Sequence, residues 1–255
     1  MGTCIFCGTT GKMTKEHIFP KWLQLHLGVK KDPLEISFYS EKPETVRTLT
    51  YNTHVNRNVC AECNNGWMSR LETEAKPILL SLIDNNISHK FSDEQVHTLG
   101  LWIFKTVLTL HDVNPHPKRI PSRHYELAYK RTAPANFFIT LARLKEQQKH
   151  PSWIQDVNWV GLPQSYYQNN ETNEKIKTSY RVVIGFGHFA ASIIYLPLDV
   201  KWFRYEDGIQ FIHPYKKIIS WPPSYNLDTL WDLNNALLVS LQFSPDMPSE
   251  KPSEY

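Results

Sequence analysis

The stretch that decides the fold reads Cys60-Ala61-Glu62-Cys63-Asn64-Asn65-Gly66-Trp67-Met68, and its counterpart at the chain start reads Cys4-Ile5-Phe6-Cys7. These two C-x-x-C pairs use all four cysteines of the 255-residue chain, with residues 8–59 between them. A two-residue spacer turns both thiolates of a knuckle toward one point, and two knuckles supply the tetrahedral S4 shell that zinc prefers. A pair of redox dithiols or a disulfide framework is the alternative. Both fit less well, because structural disulfides belong to oxidising compartments and neither pair follows a strand in a thioredoxin-like pattern. The spacing therefore predicts one structural zinc on Cys4, Cys7, Cys60 and Cys63.

Working outward, residues 14–20 read Thr-Lys-Glu-His-Ile-Phe-Pro. A clamp joining position 4 to position 63 brings this segment toward Asn64. The carboxylate of Glu16, the imidazole of His17 and the amide of Asn64 would then converge beside a saturated zinc. Oxygen donors suit a hard ion such as Mg²⁺ or Mn²⁺, and a metal-free neutral imidazole can take a proton from water.

The order C-x-x-C, acidic-His-x-x-Pro, C-x-x-C-Asn resembles the zinc-stapled branch of the HNH endonucleases. The longer wordings Glu16-His-Ile-Phe-Pro-Lys-Trp-Leu23 and Cys63-Asn-Asn-Gly-Trp-Met-Ser-Arg-Leu-Glu72 are similar to an uncharacterised bacterial HNH group. That similarity extends through residues 99–106 and 120–125. The resemblance implies an α+β chain with an N-terminal ββα-metal unit. It also implies phosphodiester hydrolysis of nucleic acid, DNA being the expected form, leaving 5′-phosphate and 3′-hydroxyl ends. His17 becomes the general base, and Glu16 and Asn64 become ligands of a catalytic Mg²⁺ or Mn²⁺. The middle Asn of the motif falls one position out of register at Val55, so Asn56 takes the role that supports the catalytic loop and orients the His, with Asn58 next. His54 is a further candidate, as a phosphate contact. Lys15, Lys21, Arg57 and Arg70 bracket these segments and are the expected phosphate-facing cations. The alternative function is a non-catalytic zinc-dependent nucleic-acid-binding module.

Composition sets the frame. Lys plus Arg number 28 against 25 Asp plus Glu, a net charge of +3, which admits an acidic partner without identifying one. No apolar run approaches the roughly 18–20 residues of a membrane span, and no signal peptide opens the chain, so a cytoplasmic protein without a membrane partner is expected. A homodimer or a protein partner held through the C-terminal region stays open.

The expected organisation is a zinc-stapled unit over 1–75, a helical connecting region over 76–133, a mostly antiparallel β-rich region over 134–243 and a flexible tail over 244–255. Residues 34–39 and 45–51 alternate as a hairpin. Residues after Asn64 turn helical, with a break or kink expected at Pro77. Ser92 and Gln95 form a capping box ahead of an apolar stripe at Val96, Leu99, Ile103, Val107 and Leu110, beside which Lys105 reads as a snorkelling surface lysine. Strands are expected at 137–141, 157–162, 180–184, 190–195 and 209–213, with a bulge or bend at Gly185-Phe-Gly187. His188 and His213 read as structural, 168–177 as an exposed loop and 227–241 as a final helix.

Overall fold

In a computed structural model of the chain, the residues described are 1–38, 44–86, 91–113, 120–134, 137–156, 170–195, 197 and 210–212. The readings for 157–162, for most of 196–255, and for His213 and the final helix lie outside them.

Two short strands, β1 (Gly2–Thr3) and β2 (Thr10–Gly11), pair antiparallel around the first knuckle. Gly8, at φ +72, turns the chain back, its N–H meeting the Cys4 carbonyl at 2.9 Å. Strand β3 (Met13–His17) follows, then helix α1 (Lys21–His26), for which Pro20 supplies the residue ahead of the first turn. The predicted hairpin forms from β4 (Pro33–Phe38) and β5 (Glu44–Thr50). Strand β6 (Val55–Cys60) then pairs antiparallel with β3, with Met13 opposite Cys60, Glu16 opposite Asn56 and His17 opposite Val55. A register shift between Thr14 and Glu16 bulges this pair.

Beyond β6, one turn α2 (Ala61–Cys63) and a π turn (Asn64–Met68) lead into α3 (Ser69–Ile83). The kink expected at Pro77 is not where the helix is interrupted. Non-helical backbone falls instead at Gly66 (φ −91, ψ −106), the residue with least steric cost there. Helix α3 runs on through Pro77, whose exposed position lets solvent take the carbonyl its missing N–H leaves.

Helix α4 (Asp93–Val113) is the hub. The Ser92–Gln95 capping box forms, with Ser92 N–H donating to Gln95 Oε1 at 2.9 Å and Gln95 N–H to Ser92 Oγ at 3.2 Å. Its burial goes beyond the predicted stripe: every residue from Thr98 to His111 is buried, the pattern of a helix enclosed on all sides. Helix α5 (Arg123–Tyr129) precedes two long strands, β7 (Phe137–Asp156) and β8 (Tyr180–Tyr195), which pair antiparallel, with β9 (Gln210–Ile212) on the other edge of β7. The fold class is thus α+β with antiparallel sheets. The expected strands at 180–184 and 190–195 are one strand. Its ladder slips where Gly185 and Gly187 face Ser152 and Gln148, but the extra residues lie on β7, so the bulge expected at the glycines falls on the strand opposite them. Residues expected as a loop at 168–177 include helix α6 (Asn170–Ile176), held by the Lys175–Glu171 pair at 2.7 Å and by burial of Ile176.

Helix α3 crosses position 75, and buried apolar residues from Cys4 to Tyr195 form one contiguous cluster. Among the described residues, that cluster takes side chains from each of the first three expected regions.

Candidate metal centre and adjoining cavity

The two knuckles meet. The four Sγ atoms of Cys4, Cys7, Cys60 and Cys63 lie within 4.8 Å of one another, and Cys7 Sγ is 3.6 Å from Cys60 Sγ. Tetrahedral zinc with bonds of about 2.3 Å requires thiolates about 3.8 Å apart, so this spacing fits a metal and is far too long for disulfides. All four cysteines are free. Backbone N–H groups support the charge such thiolates carry: Cys60 N–H points at Cys4 Sγ and Cys63 N–H at Cys60 Sγ, each at 3.5 Å. Ile5 N–H donates to the Asn58 carbonyl at 2.9 Å, tying the first knuckle to β6. The cluster can hold a metal such as zinc and, once filled by four thiolates, has no position left for substrate.

His17 closes β3 and lies half-buried in a cavity of about 220 Å³ lined by Lys15, Lys21, Asn52, Thr53, Val55 and Arg57. Three of the four expected cations therefore gather at the imidazole. Arg70 does not; it lies exposed near the start of α3. Burial, then the field of Lys21, pushes the His17 ring below its ordinary pKa, with Lys30 adding to the effect and Glu72 opposing it. The Asn52 backbone also opposes the shift, by a hydrogen bond that favours the protonated ring. A ring nitrogen that donates to a carbonyl leaves the other with its lone pair free, the state a general base needs.

Successive residues of a strand face opposite ways, so Glu16 turns from His17 to the other side of β3. Glu16 is buried, and its carboxylate accepts a hydrogen bond from Lys105 Nζ at 3.0 Å. The same ammonium reaches Glu72 Oε1 at 3.0 Å. Lys105 is 0% exposed, which corrects its reading as a snorkelling surface residue: α4 has no solvent face at that point. Burial pulls the Lys105 pKa down, but Glu72 and Glu16 together hold it above its ordinary value. For Glu16, burial raises the carboxyl above its usual range and the neighbouring Glu72 adds to this, while Lys105 pulls against both. Asn64 shares this side of the strand, its amide donating to Thr14 Oγ1 at 2.9 Å.

Asn56, cross-strand from Glu16, is fully buried, and its amide donates to the Thr109 carbonyl and Asp112 Oδ2, both at 3.1 Å. Asn58 donates to the same Asp112 oxygen at 2.7 Å. Asn56 thus fastens β6 to α4. His54 is 1% exposed and stacks on Trp153 with ring centroids 5.3 Å apart, so it has no path to a phosphate.

The Glu16–Asn64 pair does not fit a divalent ion in this arrangement. An ion bound to the same Glu16 oxygen, at about 2.1 Å, would lie within about 5 Å of a buried ammonium. At an effective dielectric constant of 20 the repulsion there is about 7 kcal/mol. Lys105, Glu72 and Asn52 are the residues that sequence reasoning missed. A signal for Lys105 existed: it is the one charge within an apolar run, Leu99 to Leu110, that offers no polar face.

Comparison of the chain with family models, with curated proteins and with solved structures gives no match.

Proposed function

We propose that this chain hydrolyses phosphodiester bonds in nucleic acid, DNA in the first instance, with His17 as general base. The observation that carries the reading is the cavity itself: a ring whose protonation is disfavoured, among Lys15, Lys21 and Arg57. Hydrolysis needs a water stripped of a proton, positive charge against the phosphate oxygens and a fixed line of attack. His17 provides the first, the three cations the second, and the walls from β3, β6 and the residues after β5 the third. The leaving group is the 3′ oxygen, as the HNH resemblance implies. A cavity of this size admits a phosphate and its sugar, so contacts fall on the backbone and carry little base information. The thiolate cluster acts at a distance, holding β3 and β6 in register at Met13 and Cys60.

The test uses labelled DNA and RNA, single- and double-stranded, with zinc-loaded protein and with or without added Mg²⁺ or Mn²⁺. His17→Ala is expected to lower the cleavage rate by at least about a hundredfold with zinc content unchanged. Undiminished cleavage by that variant removes His17 from the role. A second reading, a zinc-dependent binding module, draws on the same exposed Lys15, Lys21 and Arg57. It is favoured if nucleic acid binds in a salt-sensitive way and is never cut.

A further inference from the structure

We infer that Lys105 is the resident cation of the Glu16 face: its ammonium takes the place on the carboxylates that a divalent ion would hold, and closes that face of β3 to metal. Three observations converge on this. Lys105 Nζ lies 3.0 Å from an oxygen of each of two carboxylates that come from different elements, Glu16 on β3 and Glu72 on α3. The lysine is fully buried, at the centre of an enclosed helix and 6.0 Å from the Trp102 ring, so its head has no route to water. A lysine in such a place persists only when paired, and one oxygen of each carboxylate accepts from it. The ammonium also ties α4 to the zinc-stapled strands across 89 residues of sequence.

The consequence is a division of labour. Positive charge for an anionic ligand comes from Lys15, Lys21 and Arg57 on the His17 side, while Glu16 and Glu72 serve to place Lys105 and join three elements. This inference is separable from the hydrolysis proposed above, because it is read by ion occupancy and not by cleavage.

Zinc-loaded protein is titrated with Mn²⁺, and bound ion is followed by the loss of the free-ion paramagnetic resonance signal. Wild type is expected to bind no stoichiometric Mn²⁺ tighter than about 1 mM, and Glu16→Gln and Glu72→Gln are expected to leave that isotherm unchanged. Lys105→Met, which frees both carboxylates, is expected to gain one Mn²⁺ with affinity raised on the order of a hundredfold, and its thermal midpoint is expected to rise with added ion. One equivalent of Mn²⁺ on wild type that disappears in Glu16→Gln overturns the inference, as does a folded Lys105→Met that gains no ion. If Lys105→Met does not fold, the comparison of wild type with the two glutamine variants still decides it.

Discussion

Replacing Lys105 by Met removes one cation from between two carboxylates and leaves the helix and the volume of the side chain nearly intact. Lys105 and Glu16 have side-chain exposures of 0% and 8%, and Glu72 has 23%, so the carboxylate left most stranded is that of Glu16. Removing one partner of a buried pair costs about 3–5 kcal/mol, because the remaining charge keeps its desolvation cost without its partner. The loss should depend on pH with a definite sign. Burial already raises the folded-state pKa of Glu16 above its ordinary value of 4.5, and removal of the ammonium raises it further. A carboxyl with a raised folded-state pKa costs stability as pH climbs above the unfolded value, and the cost fades as pH falls back to it. Urea unfolding followed by tryptophan fluorescence should therefore show the full loss near about pH 7.5 and a clearly smaller one near about pH 5. Lys105→Met/Glu16→Gln, which removes both charges, should recover most of the difference. A loss below about 1 kcal/mol, or one equal at both pH values, refutes the reasoning by showing that the pair is neutral or hydrated.

Other outcomes follow from the same geometry. Purified protein should carry one zinc per chain, and Cys63→Ser or a strong chelator should release it and collapse the melting temperature, as measured by elemental analysis and calorimetry. By NMR titration, the His17 ring should turn protonated only below its ordinary value of 6.5, and Lys21→Ala should move that transition upward. Gly187→Ala should destabilise strongly: its φ is +60, which alone costs a side chain about 1–2 kcal/mol. The added Cβ would also stand 2.5 Å from Ile83 Cγ2 and 2.8 Å from its carbonyl oxygen, and chemical denaturation measures the sum. The buried His124 ring, bonded to the Tyr180 hydroxyl at 2.8 Å, is pushed down to about 3 by burial and then by Arg123. Its folded-state pKa lies below the unfolded one, so stability present above about pH 6.5 is lost toward pH 3, at up to about 1.4 kcal/mol per pH unit. His124→Phe should flatten that slope in acid unfolding curves.

The sequence by itself determined what is local. Two C-x-x-C spacings, each turning its thiolates to one point, were enough to place the four-cysteine cluster. Alternation and a capping box were enough to place the β4–β5 hairpin and the start of α4, because each is set by residues a few positions apart. The gathering of Lys15, Lys21 and Arg57 with His17 was also within reach, since strand pairing follows once the knuckles meet. Tertiary structure alone decided the fate of Glu16. The alternation of β3 turns it from His17, and its partners Glu72 and Lys105 arrive from helices whose positions no nearby residue dictates. It likewise decided that Asn56 fastens β6 to α4, and that His54 is buried against Trp153. Spacing along the chain fixes which side chains share a turn. Which buried charge finds its counter-charge depends on how separate elements enclose one core, where the cost of leaving it unpaired selects the arrangement.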